Sequence, residues 1–349
     1  MPSRTAALRF APTIPFRSLA RPFSSPSPIT SILPSSSSTT ITSSSSKRTL
    51  TMTSQNNSKF AGGTQATHNP HPDFKSVEST RPPFDAAAKI RFTKTIDPDW
   101  HFGSGANHLG RTGAGTSVPH VAIDPHEAGR PAGFNYKLLI SAITPRPVAF
   151  LSTRSPDGTV TNLAPFSYFN LVNHDPPMFV VGFAASVQKP KDSLKCLLES
   201  KECVINIISE GFLEAANATA VNAPYGKSEW DVSGLTPVYD CKHVQAARVK
   251  EAVFSIEGKL DSFKEWESRA TPGKTSSVTV FIEGVNFWVR EDAINEQKNI
   301  VDSTVLRPVS RLGGITYGRT TEVLEIPRAD WDSNIGGEEG YEKLKKNEQ

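Results

Sequence analysis

Apolar residues are scattered before residue 133 and become periodic after it. Tyr136, Leu138, Leu139 and Ile140 follow Asn135, a good helix cap, and Pro145 and Pro147 bar continuation. That pattern predicts a short helix beginning at Asn135. Residues 148–153 (VAFLST) predict a strand, Pro156-Asp157-Gly158 a turn, and 160–164 the second arm of a hairpin. Asp175-Pro176-Pro177 is another break, before a buried strand over 178–184. Leu194, Leu197 and Leu198 stand at i, i+3 and i+4, which predicts an amphipathic helix over 192–200. Residues 203–208 predict a strand and 212–219 a helix. Three more runs rich in β-branched and aromatic residues, 253–260, 277–284 and 285–290, predict strands, and a final segment covers 311–326. Strands and helices do not alternate regularly, as a doubly wound fold requires, and there is no long crossover helix for a parallel sheet. The expected class is mainly β with short helices, and antiparallel closure into a barrel hides the strand edges.

The N-terminal third differs. No acid precedes Asp73, while Arg4, Arg9, Arg17, Arg21, Lys47 and Arg48 lie in residues 1–51. Between 24 and 46, 16 of 23 residues are Ser or Thr, too few apolar groups to offset the entropy of ordering. This basic, Ser-rich leader reads either as a mitochondrial transit peptide or as an upstream extension, with Met52 the start of a cytoplasmic protein. Residues 52–80 read as a flexible linker. His68 and His71 are three apart but have no Cys nearby, so a metal site is the weaker reading. Residues 81–132 read as an extended arm packed on the domain, with anchors Phe84, Ile90, Phe92, Trp100 and Phe102. Gly103, Gly105, Gly110, Gly113 and Gly115 in this arm fit no nucleotide-loop spacing. The domain is expected over 133–331, with a polar tail at 332–349.

Charge and composition narrow the partners. The 349 residues carry 38 Lys+Arg against 35 Asp+Glu, a formal charge of +3. The leader alone holds six of the basic residues and none of the acids, so the rest of the chain is at −3. A nucleic-acid partner therefore lacks electrostatic support. The longest apolar runs are about eight residues, short of the roughly 20 that a membrane-spanning helix needs. Cys196, Cys203 and Cys241 form no CxxC pair, which disfavours a disulfide scaffold or a zinc finger. No GxSxG, HExxH or kinase signature is present.

Three stretches could carry chemistry. Asn162-Leu163-Ala164-Pro165-Phe166-Ser167 follows a hairpin strand. Pro165 cannot donate to a ladder, so the backbone is expected to leave the sheet there and free some N–H groups. Small Ala164, the Ser167 hydroxyl and the flat Phe166 suit a planar heteroaromatic ligand; a strand end with an aromatic plug is the alternative. Lys189, Lys191 and Ser193 flank the start of the 192–200 helix, where free N–H groups and the dipole suit a phosphate; an ordinary N-cap with solvated lysines is the alternative. One strand separates these two stretches, so one ligand with a ring and a phosphate would reach both. Arg307 to Tyr317, with paired Gly313-Gly314, reads as a substrate lip or as a turn anchored by salt bridges.

PRPVAFLSTRSPDG (145–158), NLAPFSYFN (162–170), DPPMFVVGF (175–183), KDSL (191–194), ECVINIISE (202–210), EAANATAVNAPYG (214–226), SGLTP (233–237) and RPVSRLGGITYGR (307–319) together resemble the flavin reductase-like family of the FMN-binding split β-barrel superfamily. The family's usual KDT is here Lys191-Asp192-Ser193, which keeps the hydroxyl. The resemblance implies a Greek-key split barrel that forms a homodimer, with FMN near the subunit interface. It implies that Asn162, Leu163, Ala164, Pro165, Phe166 and Ser167 line the flavin, with Thr153 and Arg154 beside it. It also implies that Lys189, Lys191 and Ser193 face the phosphate, and that Arg311 and Tyr317 border the substrate side. The implied chemistry is hydride transfer from NAD(P)H to FMN, and on to free flavin or another acceptor, with no catalytic side chain required. An FMN-binding protein with another redox or carrier role is the alternative.

Overall fold

The computed structural model describes residues 72–107 and 119–346. All of them lie in the second of two units into which the chain divides, Ser58–Gln349. The leader, His68, His71, Gly110, Gly113 and Gly115 fall outside the described residues.

Seven strands form one antiparallel sheet. They are β1 (Ala149–Arg154), β2 (Thr161–Phe166), β3 (Phe169–His174), β4 (Pro177–Phe183), β5 (Glu202–Ile207), β6 (Phe254–Glu267) and β7 (Thr275–Val289). Their order is β2-β1-β5-β6-β7-β4-β3. The outermost strands, β2 and β3, are consecutive in the chain and joined only by Ser167 and Tyr168. The sheet must therefore curl until its two ends meet. Across that seam the Phe166 and Phe183 rings lie 4.6 Å apart. The mainly β, antiparallel class expected from the sequence is the one the chain adopts.

Strand parity sorts the core into two layers. Leu151, Val181, Phe183, Ile205 and Val280 face one cluster, which Leu194 and Leu197 of α2 (Asp192–Ser200) complete. Phe150 and Leu163 face a second cluster with Phe212, Trp230, Val249 and Val309. This layer includes α3 (Leu213–Ala218) and α4 (Glu229–Ser233). Strand β1 is thus covered on both faces, which is why its sequence is a continuous apolar run rather than an alternation. The helix expected over 192–200 forms with those bounds. Its two fully buried leucines would each cost about 2–5 kcal/mol if cut to Ala.

Several local expectations are corrected. Phe74–Glu78, inside the expected linker, is a short helix capped by Asp73, and the helix expected from Asn135, α1 (Ala132–Ala142), starts before that residue, with Pro131 at its N-cap. Asn135 instead donates to Pro125 O and accepts from Arg130 Nε. The runs 277–284 and 285–290 are one strand, because an irregularity between Gly284 and Asn286 absorbs the break without ending the pairing. Pro165 does not leave the sheet: it pairs opposite Phe150. Strand β2 is an edge, so no ladder bond is lost on its outer side, and proline is tolerated there. Within the polar C-terminal tail, Gly337–Lys346 is helical.

A hairpin of β8 (Val309–Gly313) and β9 (Thr316–Arg319) docks against α1. Arg146 and Arg311 exchange backbone hydrogen bonds, and the Arg146 guanidinium donates to the carbonyls of Ile140 and Ile143. Gly313, at φ +102°, approaches so closely that a Cβ would stand 2.7 Å from Ile140 O. Glu210 accepts from both Arg307 and Arg319. In the arm, Arg91–Phe92 pairs in parallel with Glu322–Val323, and the Arg319 guanidinium lies 4.2 Å over the Phe84 ring. Among the described residues, no helix is long and apolar enough to cross a membrane, and no cluster could hold a metal ion.

Glu257 on β6 is fully buried and organises the loop before it. It accepts from Lys242 N, His243 N, Asn286 Nδ2 and Trp288 Nε1. Burial alone would raise its pKa, but these donors outweigh burial and hold it below the ordinary 4.5. A depressed folded pKa gives stability that is fully present above about pH 4.5 and lost as pH falls through the folded value. Glu257→Ala should therefore destabilise the chain by about 3 kcal/mol near neutrality. In thermal melts, the gap between the two chains should narrow as pH is lowered from 7 to 3.

Candidate functional site

The site grows from the outer edge of β2 and the first turn of α2. Thr153 and Asn162 are cross-strand partners, and Asn162, Ala164 and Phe166 share the face that Leu151 and Thr153 present. Asn162 is buried, and its Oδ1 accepts a hydrogen bond from Ser193 Oγ on α2. Its Nδ2 donates to Glu229 Oε2 at 2.8 Å. The same carboxylate oxygen accepts from Leu163 N at 3.3 Å. Edge strand, α2 and α4 therefore converge on one amide.

The predicted residues divide between two faces. Thr153 is buried toward Cys196 of α2, and its hydroxyl has no nitrogen or oxygen partner. Arg154, Leu163 and Pro165 point to the opposite face of the sheet. Arg154 donates to Gln245 O, and its guanidinium fills the space that a Cβ on Gly158 would take. Phe166 packs on Phe183 in the barrel seam. Ser167 is half-buried in the link between β2 and β3. Arg311 and Tyr317 sit apart on the β8–β9 hairpin. Arg311 donates to Gly314 O and lies 4.4 Å over the Tyr317 ring, while Tyr317 donates to Asn217 Oδ1 on α3.

Around α2 the electrostatics are mixed. Lys191 is the N-cap, and no side chain caps the first-turn N–H groups, which leaves them and the positive end of the dipole for an anion. Lys189 and Lys191 are exposed beside it. Ser193 is different: it is 2% exposed, and its single proton goes to Asn162. Asp192 is pushed upward in pKa by burial, an effect that Lys195 opposes. Glu229 is also raised, by burial first, against its hydrogen bonds and with a further push from Asp192. The Lys195 ammonium lies 3.9 Å over the Tyr225 ring, which holds the loop before α4 against α2.

Glu229 and Tyr225 were not among the residues singled out from sequence. Glu229 falls between two recognisable stretches, 214–226 and 233–237, and a single Glu in a short polar segment has no periodicity to mark it. A separate cleft of about 250 Å³, lined by Trp288, Lys250, Arg248 and Arg290, contains none of the predicted residues. Its two arginines are paired with Asp240 and Asp292.

Comparison with known proteins bears on the family and the fold. Residues 141–305 match the family model of the flavin reductase like domain. An uncharacterized protein of Aquifex aeolicus is 36% identical over 183 residues, 52% of this chain and 88% of that protein. The solved structure of nitrilotriacetate monooxygenase component B from Bacillus cereus matches with a TM-score of 0.55 and 32% identity, covering 60% of this chain and all of that one. A split-barrel-domain protein of Shewanella frigidimarina, 19% identical, shares the fold with a TM-score of 0.51, over 61% of this chain and 100% of that one. Together they support a flavin-related oxidoreductase role. The seven-stranded rolled sheet, the sequence match and the structural likeness lead to one assignment: the chain belongs to the flavin reductase-like domain family and has its split-barrel fold.

Proposed function

We propose that the chain is an FMN-binding oxidoreductase that passes hydride from NAD(P)H to FMN, and on to free flavin or another acceptor. The observation that carries this reading is the junction of the β2 edge with the uncapped first turn of α2, fastened through Asn162 and Ser193. A ring with polar edges fits along 162–167, where Ala164 leaves room. A phosphate fits the first-turn N–H groups, with Lys189 and Lys191 beside them. Ser193 has no proton left for a phosphate, so the backbone and the two lysines would hold it. The buried Thr153 hydroxyl, which lacks a nitrogen or oxygen partner, is a further polar group on that face.

The flavin supplies the redox chemistry, so the protein needs only to bind, orient and exclude water. Arg311 and Tyr317 would border the substrate side, where Asn217 fixes the Tyr317 hydroxyl. The structural relative described as a monooxygenase component supports an acceptor outside the chain itself. A homodimer is the expected assembly. Leu171 and Val172 on the outer strand β3, and Tyr136, Leu138 and Leu139 on α1, are exposed apolar residues that a second copy would cover.

Three outcomes are expected. The full chain should take up FMN and, held anaerobically, should bleach the flavin absorbance on addition of NADH or NADPH. Uptake without bleaching would leave binding but remove the reductase activity; no uptake would remove both. Lys189→Ala with Lys191→Ala should weaken FMN binding about tenfold with an unchanged melting temperature, and unchanged affinity would count against the phosphate placement. In light scattering after gel filtration, the chain should run at twice its own mass, and Leu171→Asp with Val172→Asp should shift it to the monomer.

A further inference from the structure

The polar contacts between the β2 edge and α2 all trace back to Glu229. This residue is 4% exposed at the start of α4. A carboxylate only accepts hydrogen bonds, so Asn162 must turn its NH₂ toward Glu229 and its carbonyl away. The opposite orientation would set Asn162 Oδ1 against Glu229 Oε2. The carbonyl then meets Ser193, which has to spend its proton there. Leu163 N, on the outward side of the edge strand, donates to the same carboxylate oxygen. The direction of every hydrogen bond in this chain is thus set at one end. Burying a carboxylate is costly, and here two donors, Asn162 Nδ2 and Leu163 N, offset it.

We propose that Glu229 is the positioning residue of the flavin site: it orients the Asn162 amide and the Ser193 hydroxyl, and through them the first turn of α2 against the β2 edge. This rests on the flavin reading above. Glu229 acts through Asn162 and need not touch the ligand.

A polarity swap tests it. Asn162→Asp alone sets two carboxylates against each other. Adding Glu229→Gln restores the bond in reverse, with the amide introduced on α4 as the donor, while Leu163 N, whose acceptor was that same oxygen, loses its partner. The double change keeps the Ser193 bond and returns the net charge to its original value. Four full-length chains are compared, unsubstituted, each single variant and the double. FMN affinity is read by fluorescence titration well below each melting temperature, and melting is read without FMN. Asn162→Asp should lose about tenfold or more in affinity, and the double variant should bind at least about threefold more tightly than Asn162→Asp, short of full recovery because the Leu163 N bond is not restored. Recovery of melting temperature without recovery of affinity would show a structural role only, and would overturn the proposal. So would an Asn162→Asp chain that binds normally, or a double variant as weak as the single one, since Asn162 would then act independently of Glu229. If the unsubstituted chain takes up no FMN, the flavin reading fails. The melting temperatures of the same four chains still decide whether Glu229 sets the orientation of Asn162.

Discussion

Closure of the sheet through Ser167 and Tyr168 is the constraint from which the rest follows. Because β2 and β3 are the two ends of the strand order and also neighbours in the chain, the sheet has no freedom to stay open. Rolling it encloses Leu151, Val181, Phe183 and Ile205, and gives α2 an apolar surface for Leu194 and Leu197. It also fixes where unpaired backbone remains. The outer edge of β2 faces α2 and α4 instead of another strand, and there the chain places a proline, a buried amide and a carboxylate. An edge that would otherwise invite aggregation is covered by two helices and bonded to them through Asn162 and Leu163.

Buried acids are the second recurring device. Glu257 gathers backbone N–H groups of the 242–243 loop, Glu202 accepts from Gln245 N while pairing with Lys259, and Glu210 holds two arginines of the C-terminal hairpin. Glu229 does the same for the edge strand. For Glu257, Glu202 and Glu229, backbone N–H groups outside a ladder find an acceptor in the carboxylate, while Glu210 accepts from two guanidinium groups. These acids are scattered through the sequence and share no motif. Three of them, Glu257, Glu202 and Glu229, accept backbone N–H groups that no strand ladder satisfies.

How much was legible beforehand follows the range of the interactions. The helix over 192–200 and the strand starting near Val148 were readable because their signals are local: leucines at helical spacing, and an apolar run between prolines and a turn. The two runs read as separate strands before and after Gly284 are one, since a bulge costs less than breaking a pairing already extended along β6. Pro165 stays in the sheet for a related reason. Whether proline can stay in a sheet depends on whether its strand is an edge, and strand order is a tertiary property. The pairing of Asn162 with Ser193 and Glu229 joins positions 31 and 67 residues apart, which no periodicity encodes. The family resemblance pointed to Asn162 and Ser193, but not to the acid that orients them.

The docking of the β8–β9 hairpin on α1 bears on what the smallest self-sufficient piece of this chain is. The family match stops at 305, yet Val309 completes the outer core, Arg311 pairs with Arg146, and Arg319 shares Glu210 with Arg307. The segment past 305 is therefore the clasp that ties the end of the domain to its beginning, through the backbone of Arg146 just after α1. Cutting the chain after 305 would expose Val148, Phe150 and Ile208 on one side and leave α1 without the hairpin on the other. The folding unit runs past the end of the family-model match and includes Arg319, the last residue of the resembling stretch 307–319.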